Sequence, residues 1–257
     1  MIRWLEDPSL LNPRSVKGRP CMNVAIRCGL RVAGPGACRD FWLQTGPGGE
    51  PRGWAMENGG RVWAALTDPG DREAAEEMAQ FLLAKGFRCL EADEAVARAV
   101  GLPHTTLPVM ACARLLPGRE LPEGFALAEG PVAGLTEVLL AAGALPEEGR
   151  DSFYACRHLH VRRGCEAVFL GRLQGRTVSC GVLSWAEGAE AAVTCVAVIP
   201  EYRGKGFALA TVREIARRCL EAGHVPFLAC REELVPLYEK AGFQRDGLCA
   251  LTEIPTK

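Results

Sequence analysis

The chain has 257 residues, 48% of them hydrophobic and 24% charged, which is the composition of a folded chain and neither a disordered nor a fibrous one. Lys plus Arg number 30 and Asp plus Glu 31, so the net charge of −1 removes the broad electrostatic case for a dedicated nucleic-acid or anionic-membrane binder. The length suits one large domain or two modest ones of roughly 100 to 200 residues each.

The first half is the less regular one. Residues 24–32 and 41–45 read as strands, and 54–58 and 61–66 as a hairpin about Gly59-Gly60. Asp71 caps a predicted helix running to Lys85, followed by a strand at 88–91, a helix at 94–100 and a strand at 106–115. Residues 116–123, with two prolines and a glycine, form the natural linker.

The second half reads more clearly. A short strand at 124–129 precedes helices at 132–142 and 146–161. Strands at 167–173 and 177–185 flank Gln174-Gly175-Arg176, a hairpin connection, and the run 191–199 is almost wholly apolar, as a strand covered on both faces would be. After Pro200 the period changes: Ala208, Val212, Ile215, Ala216 and Cys219 recur at helical spacing, and Gly223 ends that helix. A strand at 225–229, a helix at 232–241 and a strand at 243–254 complete the order. From its hairpin onward this order repeats that of the first half, which suggests a diverged internal repeat.

No signal-peptide core occurs in residues 1–13, which carry Glu6 and Asp7, and no apolar run approaches the roughly 18 to 20 residues of a membrane span. Twelve cysteines sit singly, with no CxxC pair, and read as small core hydrophobes in a reducing cytoplasm. Cys156, His158 and His160, with Cys165 nearby, do not make a metal site, because alternating positions share no helix face and no second cluster completes four ligands.

The most informative segment is Val196-Ala197-Val198-Ile199-Pro200-Glu201-Tyr202-Arg203-Gly204-Lys205-Gly206-Phe207-Ala208-Leu209. An apolar strand runs into a glycine-rich turn that opens directly onto a helix. Unsatisfied main-chain N–H groups there, with the positive end of the helix dipole, suit phosphate oxygens. Gly204 and Gly206 let the main chain approach the anion, and no acid follows until Glu214. The GxxxxGK[ST] loop is absent, and neither the third glycine nor the ribose acid of a dinucleotide fold is present. At the corresponding point of the first half stand Asp68, Asp71 and Glu73, then Glu76 and Glu77, which would repel a pyrophosphate.

With these residues the sequence resembles the GNAT superfamily of acyl-CoA-dependent N-acyltransferases. Its signature, Arg/Gln-x-x-Gly-x-Gly/Ala after a strand ending V-x-V-x-P, is similar to residues 196–208, with Ala208 in the last place. The family's L-Y-x-K-x-G-F stands at Leu237-Tyr238-Glu239-Lys240-Ala241-Gly242-Phe243. The likeness covers about residues 122–257.

The resemblance implies an α/β (α+β) fold of two GNAT-like mixed-sheet domains in tandem: a degenerate one at 1–121 without the phosphate turn, and an N-acetyltransferase domain at 122–257. It implies acetyl-CoA as cosubstrate and direct attack of a primary amine on the thioester. The alternative is a non-catalytic acyl-CoA-binding module. Main-chain amides of Gly204, Lys205, Gly206, Phe207, Ala208 and Leu209 would hold the pyrophosphate, with Arg203 and Lys205 adding charge. The edge of Val196, Ala197 and Val198 would pair with the pantetheine arm. Tyr238 corresponds to the tyrosine that protonates the departing thiolate. Arg231 stands where the family has an asparagine, so a side-chain contact to the cofactor arm is not carried over. No acid lies within 191–199, which leaves Glu187 and Glu190 as candidate bases. The expected partner is a small-molecule or peptide amine, with no metal, nucleic acid or membrane, with a homodimer left open, and with a cytoplasmic location.

Overall fold

The protein is described by a computed structural model covering residues 1–33, 39–117, 123–186 and 188–254. The chain divides into two compact units: Met1–Val109, Ala229–Glu232 and Asp246–Lys257 make the first, Met110–Leu228 and Glu233–Arg245 the second. The expected boundary between 121 and 122 lies outside the described residues.

The first unit begins with β1 (Ile2–Trp4), two short 3-10 turns and α1 (Pro20–Val32). The meander β2 (Arg39–Thr45), β3 (Pro51–Asn58) and β4 (Arg61–Leu66) follows, then α2 (Arg72–Lys85), β5 (Cys89–Asp93), α3 (Glu94–Val100) and β6 (Thr105–Ala111), whose last two residues belong to the second unit. Gly59 and Gly60 adopt φ of +57° and +82° between paired Asn58 and Arg61, the backbone that a two-residue hairpin turn requires. β4 and β5 run parallel, joined by α2, whose Ala74, Ala75, Met78, Ala79 and Leu82 are buried against Val62, Leu66 and Leu90.

Residues 24–32, expected as a strand, lie in α1. Within the run Met22 to Val32 the polar residues Asn23, Arg27 and Arg31 recur every four residues, the helical spacing, although most of the helix is buried. Pro20 in the first turn and a length of 13 residues are the helical signals that the β-branched residues obscured. The helix packs closely on β3: a Cβ at Gly29 would lie 2.1 Å from Met56 Sδ.

The second unit contains β7 (Phe125–Glu129), α4 (Val132–Ala141), α5 (Arg150–Arg162), β8 (Glu166–Leu173), β9 (Arg176–Trp185) and β10 (Glu190–Val198). A 3-10 turn at Pro200–Tyr202 leads into α6 (Phe207–Glu221), then β11 (Val225–Ala229) and α7 (Val235–Glu239). Its strand order is β11-β10-β9-β8-β7, antiparallel except for the parallel pair β10 and β11. The pattern of antiparallel meander, crossover helix and parallel strand in this unit repeats that of the first.

The last strand, β12 (Gln244–Glu253), departs from the expectation that it closes the second half. From Asp246 it belongs to the first unit, where Cys249 to Glu253 pair antiparallel with Asp93 to Cys89 of β5. Buried Cys249 and Ala250 thereby cover the otherwise open edge of buried Leu90 and Ala92. No disulfide joins any described cysteine, and most of them are buried as core residues. Among the described residues no helix is long and apolar enough to cross a membrane.

Candidate active site

β10 positions the site. Its parallel pairing with β11 covers only Glu190, Ala191 and Ala192 against Val225, Pro226 and Phe227, whereas its pairing with β9 continues to Val198. The edge of β10 that faces away from β9 is therefore left by β11 beyond Ala192. Within that stretch the register against β9 shifts between Thr194 and Ala197, and Cys195 takes φ of +53°, the mark of a β-bulge that re-aims main-chain groups. The Cys180 thiol donates to Cys195 O at 3.4 Å and braces the bulge. Val196, Ala197 and Val198, the expected partners of an extended ligand, occupy this edge.

At the end of β10 the chain makes the expected turn. Gly204 and Gly206 adopt φ of +75° and +90°, and Gly206 is the residue that precedes α6. No side chain caps the helix and no acid lies in its first turn. Among the described residues, the amides of Gly204, Lys205, Gly206, Phe207, Ala208 and Leu209 have no acceptor, and residues 203–206 are exposed. Six amides concentrated at the positive end of a 15-residue helix fit an anionic diphosphate.

The helix is seated firmly enough to hold that geometry. Phe207 is buried, with Phe125 at 4.8 Å and Tyr202 at 6.1 Å between ring centroids. Thr211 Oγ1 donates to Phe207 O and meets Ser179 Oγ of β9, both at 2.9 Å. Gly181 permits the close approach: a Cβ there would stand 2.6 Å from Ile215 Cδ1. Each fully buried large apolar side chain in such a seat contributes about 1.5 to 3 kcal/mol.

The two cationic candidates are engaged with the protein's own carbonyls. Arg203 Nε donates to Val198 O at 3.1 Å and its NH2 group to Ala142 O at 2.9 Å, so the side chain ties the end of β10 to the end of α4. Lys205 Nζ donates to Glu201 O at 3.0 Å and sits 5.0 Å from the Tyr202 ring centroid. The Arg203 tether links residues 61 apart in sequence, a relationship that nothing in the local pattern announces.

Tyr238 lies in α7 and is buried, with the ring edge-on to Phe243 at 6.2 Å. Its carbonyl accepts from the amides of Ala241 and Phe243, at 2.9 and 3.1 Å, which stops the helix. Glu190 opens β10, opposite Val225 and two residues before the strands part, at the end of the strand away from the glycine turn. Glu187 lies outside the described residues. Arg231 belongs to the short stretch 229–232 of the first unit. Among the described residues no group of three or more His, Cys, Asp or Glu side chains could hold a metal ion.

The corresponding region of the first unit is built shut. α2 carries its own cap: Asp71 Oδ1 accepts from Ala74 N at 3.0 Å, and Arg52 binds both Asp71 and Glu73. Hydrogen bonding from Arg52, followed by the Ala74 amide, holds the Asp71 carboxyl below its ordinary range despite some burial. Where β4 and β5 part, beyond Ala64 and Ala92, the Asp93 carboxylate accepts from Leu66 N at 2.7 Å. On the Leu66 carbonyl lies Gly18, at φ of +120°, where a Cβ would stand 2.3 Å from Leu66 O. A side chain and the main chain of this unit thus occupy the strand edge that stays open in the second.

Residues 136–243 match the model of the Acetyltransferase (GNAT) family, and this part of the chain is a GNAT domain. Solved structures extend the likeness to the whole chain. A GCN5-related N-acetyltransferase from Kribbella flavida superposes with a TM-score of 0.63 at 15% identity, covering 93% of this chain and 97% of that one. A tandem GNAT protein from the clavulanic acid biosynthesis pathway, described without AcCoA, gives 0.59 at 15% identity over 100% of both chains. An acetyltransferase from the GNAT family of Colwellia psychrerythraea gives 0.58 at 12% identity, with 99% and 100% coverage. At such identities the likeness is one of fold, and the fold is two GNAT-like domains in tandem. No curated protein matches the chain.

Proposed function

We propose that the second unit is an acetyl-CoA-dependent N-acetyltransferase, in which a primary amine of a small molecule or peptide attacks the thioester directly. The observation that carries this reading is the uncapped, acid-free start of α6 at the end of a strand whose outer edge β11 leaves beyond Ala192. When bound, acetyl-CoA supplies the activated acyl group as a thioester.

The chain's own residues would bind, align and move protons. Amides of Gly204 to Leu209 hold the diphosphate, and the open edge at Val196, Ala197 and Val198 aligns the extended arm. Arg203 acts on this site as a positioning residue through Val198 and Ala142. Glu190, beside the point where β10 and β11 part, accepts the amine proton directly or through water. Tyr238 donates a hydrogen bond to the departing thiolate: an ordinary thiol pKa of about 8.5 makes it a good leaving group, and a phenol near 10 needs only to assist it. Holding the amine against the acyl carbon supplies much of the rate by proximity alone. The first unit, with its helix start capped and its strand gap filled, takes no cofactor.

Incubation of the full chain with acetyl-CoA and a panel of amines, followed by free-thiol release and product mass, tests the proposal. Thiol release should require an amine and give a product heavier by one acetyl group. Coenzyme A binding without turnover on any amine would contradict it and favour a non-catalytic binding module.

A further inference from the structure

A second chemical cluster lies in the same unit, apart from the glycine turn. On α5, Cys156 and His160 stand four residues apart and share a helix face. His160 Nδ1 donates to Glu166 Oε1 of β8 at 2.9 Å, and His160 is also hydrogen-bonded with Cys156. Arg157 donates to the same Glu166 oxygen, and Ser184 Oγ of β9 donates to it at 3.2 Å. The order is thiol, imidazole, carboxylate, with the carboxylate fixed from two further sides. His158, which separates the pair in sequence, points elsewhere and stacks on exposed Tyr154 at 5.7 Å.

The charges decide what the thiol does. The Glu166 side chain is 2% exposed, and its Oε2 is buried without a partner among the described residues. Burial alone would raise its pKa, but Arg157 and His160 hold it below the ordinary carboxylate range. Burial would likewise depress His160, yet hydrogen bonds with Cys156 and Glu166 raise it to about 9, so the ring is an imidazolium at neutral pH. Arg157 and His160 then bring two positive charges to one carboxylate. A thiolate at Cys156 balances the excess, and cations beside a cysteine are the standard means of lowering its pKa. Cys156 is half-buried, whereas most of the described cysteines are fully buried.

The geometry points to Cys156 as a nucleophilic thiolate, oriented by His160 and Glu166, that exchanges with small disulfides. In this step the Cys156 sulfur attacks one sulfur of the disulfide, a new S–S bond forms and the old one breaks. Cys156 is oxidised to a mixed disulfide, and the departing half is reduced and leaves as a thiolate that takes a proton from water. Arg157 and His160 on α5 and Glu166 on β8 are the charged groups in the cluster, and Ser184 on β9 is its neutral donor.

The test uses the folded full chain and 4,4′-dithiodipyridine, with thione absorbance for rate and peptide mass mapping for site. Cys156 should be modified first, at least about tenfold faster at pH 6.5 than Cys89, whose thiol burial raises. Its rate should stay nearly flat from pH 6 to 8. In His160→Asn and His160→Gln the rate should fall about tenfold and regain an ordinary thiol profile with a midpoint near 8.5. Circular dichroism reports whether each variant folds; where one does not, the wild-type profile decides alone. A Cys156 that reacts no faster than Cys89 at pH 6.5, or whose rate climbs tenfold per pH unit from pH 6 to 8, would overturn the proposal.

Discussion

The Asp71 carboxylate accepts a hydrogen bond from the amide of Ala74 at 3.0 Å, inside the first turn of α2. At the corresponding point of the other unit Gly206 offers no side chain, and the amides that follow have no acceptor among the described residues. One helix start is closed by its own sequence and the other is left to a ligand. Replacement of Asp71 by Ala should therefore cost stability, about 1 kcal/mol for a lost cap, and lower the melting temperature. It should leave coenzyme A affinity unchanged. Thermal unfolding and calorimetric titration of the same variant check both halves of this statement.

Arg203 separates two kinds of cationic help. Its donors go to Val198 O and Ala142 O, a pair of main-chain acceptors that the planar guanidinium can bridge and a lysine ammonium cannot reach together. Arg203→Lys and Arg203→Ala should both weaken coenzyme A binding by about tenfold, equivalent to about 1.4 kcal/mol. A lysine variant with full affinity would mean that charge near the phosphates matters and the tether does not.

The proton-transfer roles divide turnover from binding. Tyr238→Phe and Glu190→Gln should each lower kcat by about 10² or more, within the range of general acid or base catalysis, with coenzyme A affinity nearly intact. Steady-state kinetics beside titration of the same preparations distinguishes this from damage to α7, which would also lower stability because Tyr238 is buried.

Asp93 gives the first unit a pH signature. Burial raises its pKa from 3.8 to about 6, only partly offset by the Leu66 amide and Arg19. A raised folded-state pKa means that the neutral acid is favoured in the native state. Its contribution to stability is full below pH 3.8 and is lost as the pH rises through about 6. Asp93→Asn, which keeps an oxygen for Leu66 N, should remove that dependence. The urea midpoint of the variant should gain on that of the wild type between pH 4 and 6.5 and stay level above it.

The glycine turn was legible in the sequence because its geometry is local. A strand, two glycines with positive φ and an acid-free helix start are consecutive residues, so residues 196–209 carried their own geometry. The last strand was not legible in the same way. Gln244–Glu253 reads as a strand from its own composition, but its pairing with Cys89–Asp93 is a contact across most of the chain. The helix α1 was misread because the apolar, partly β-branched residues of 24–32 suggested a strand, although Asn23, Arg27 and Arg31 recur at the four-residue spacing of a helix. The Arg203 tether and the joining of Cys156, His160 and Glu166 depend on the packing of α4 and α5, which no spacing rule specifies. The cysteine and histidine were visible as residues, and the carboxylate that connects them was not.

The most direct test is the stoichiometry of coenzyme A binding by isothermal titration, on the wild type and on Gly206→Val. At φ of +90° a β-branched residue is strained even where space is open, so the variant must rebuild the turn that carries the amides. One site per chain in the wild type and no detectable binding in the variant are the expected results. Two sites per chain, or a variant with unchanged affinity, would contradict the assignment of a single phosphate turn at Gly204 to Leu209.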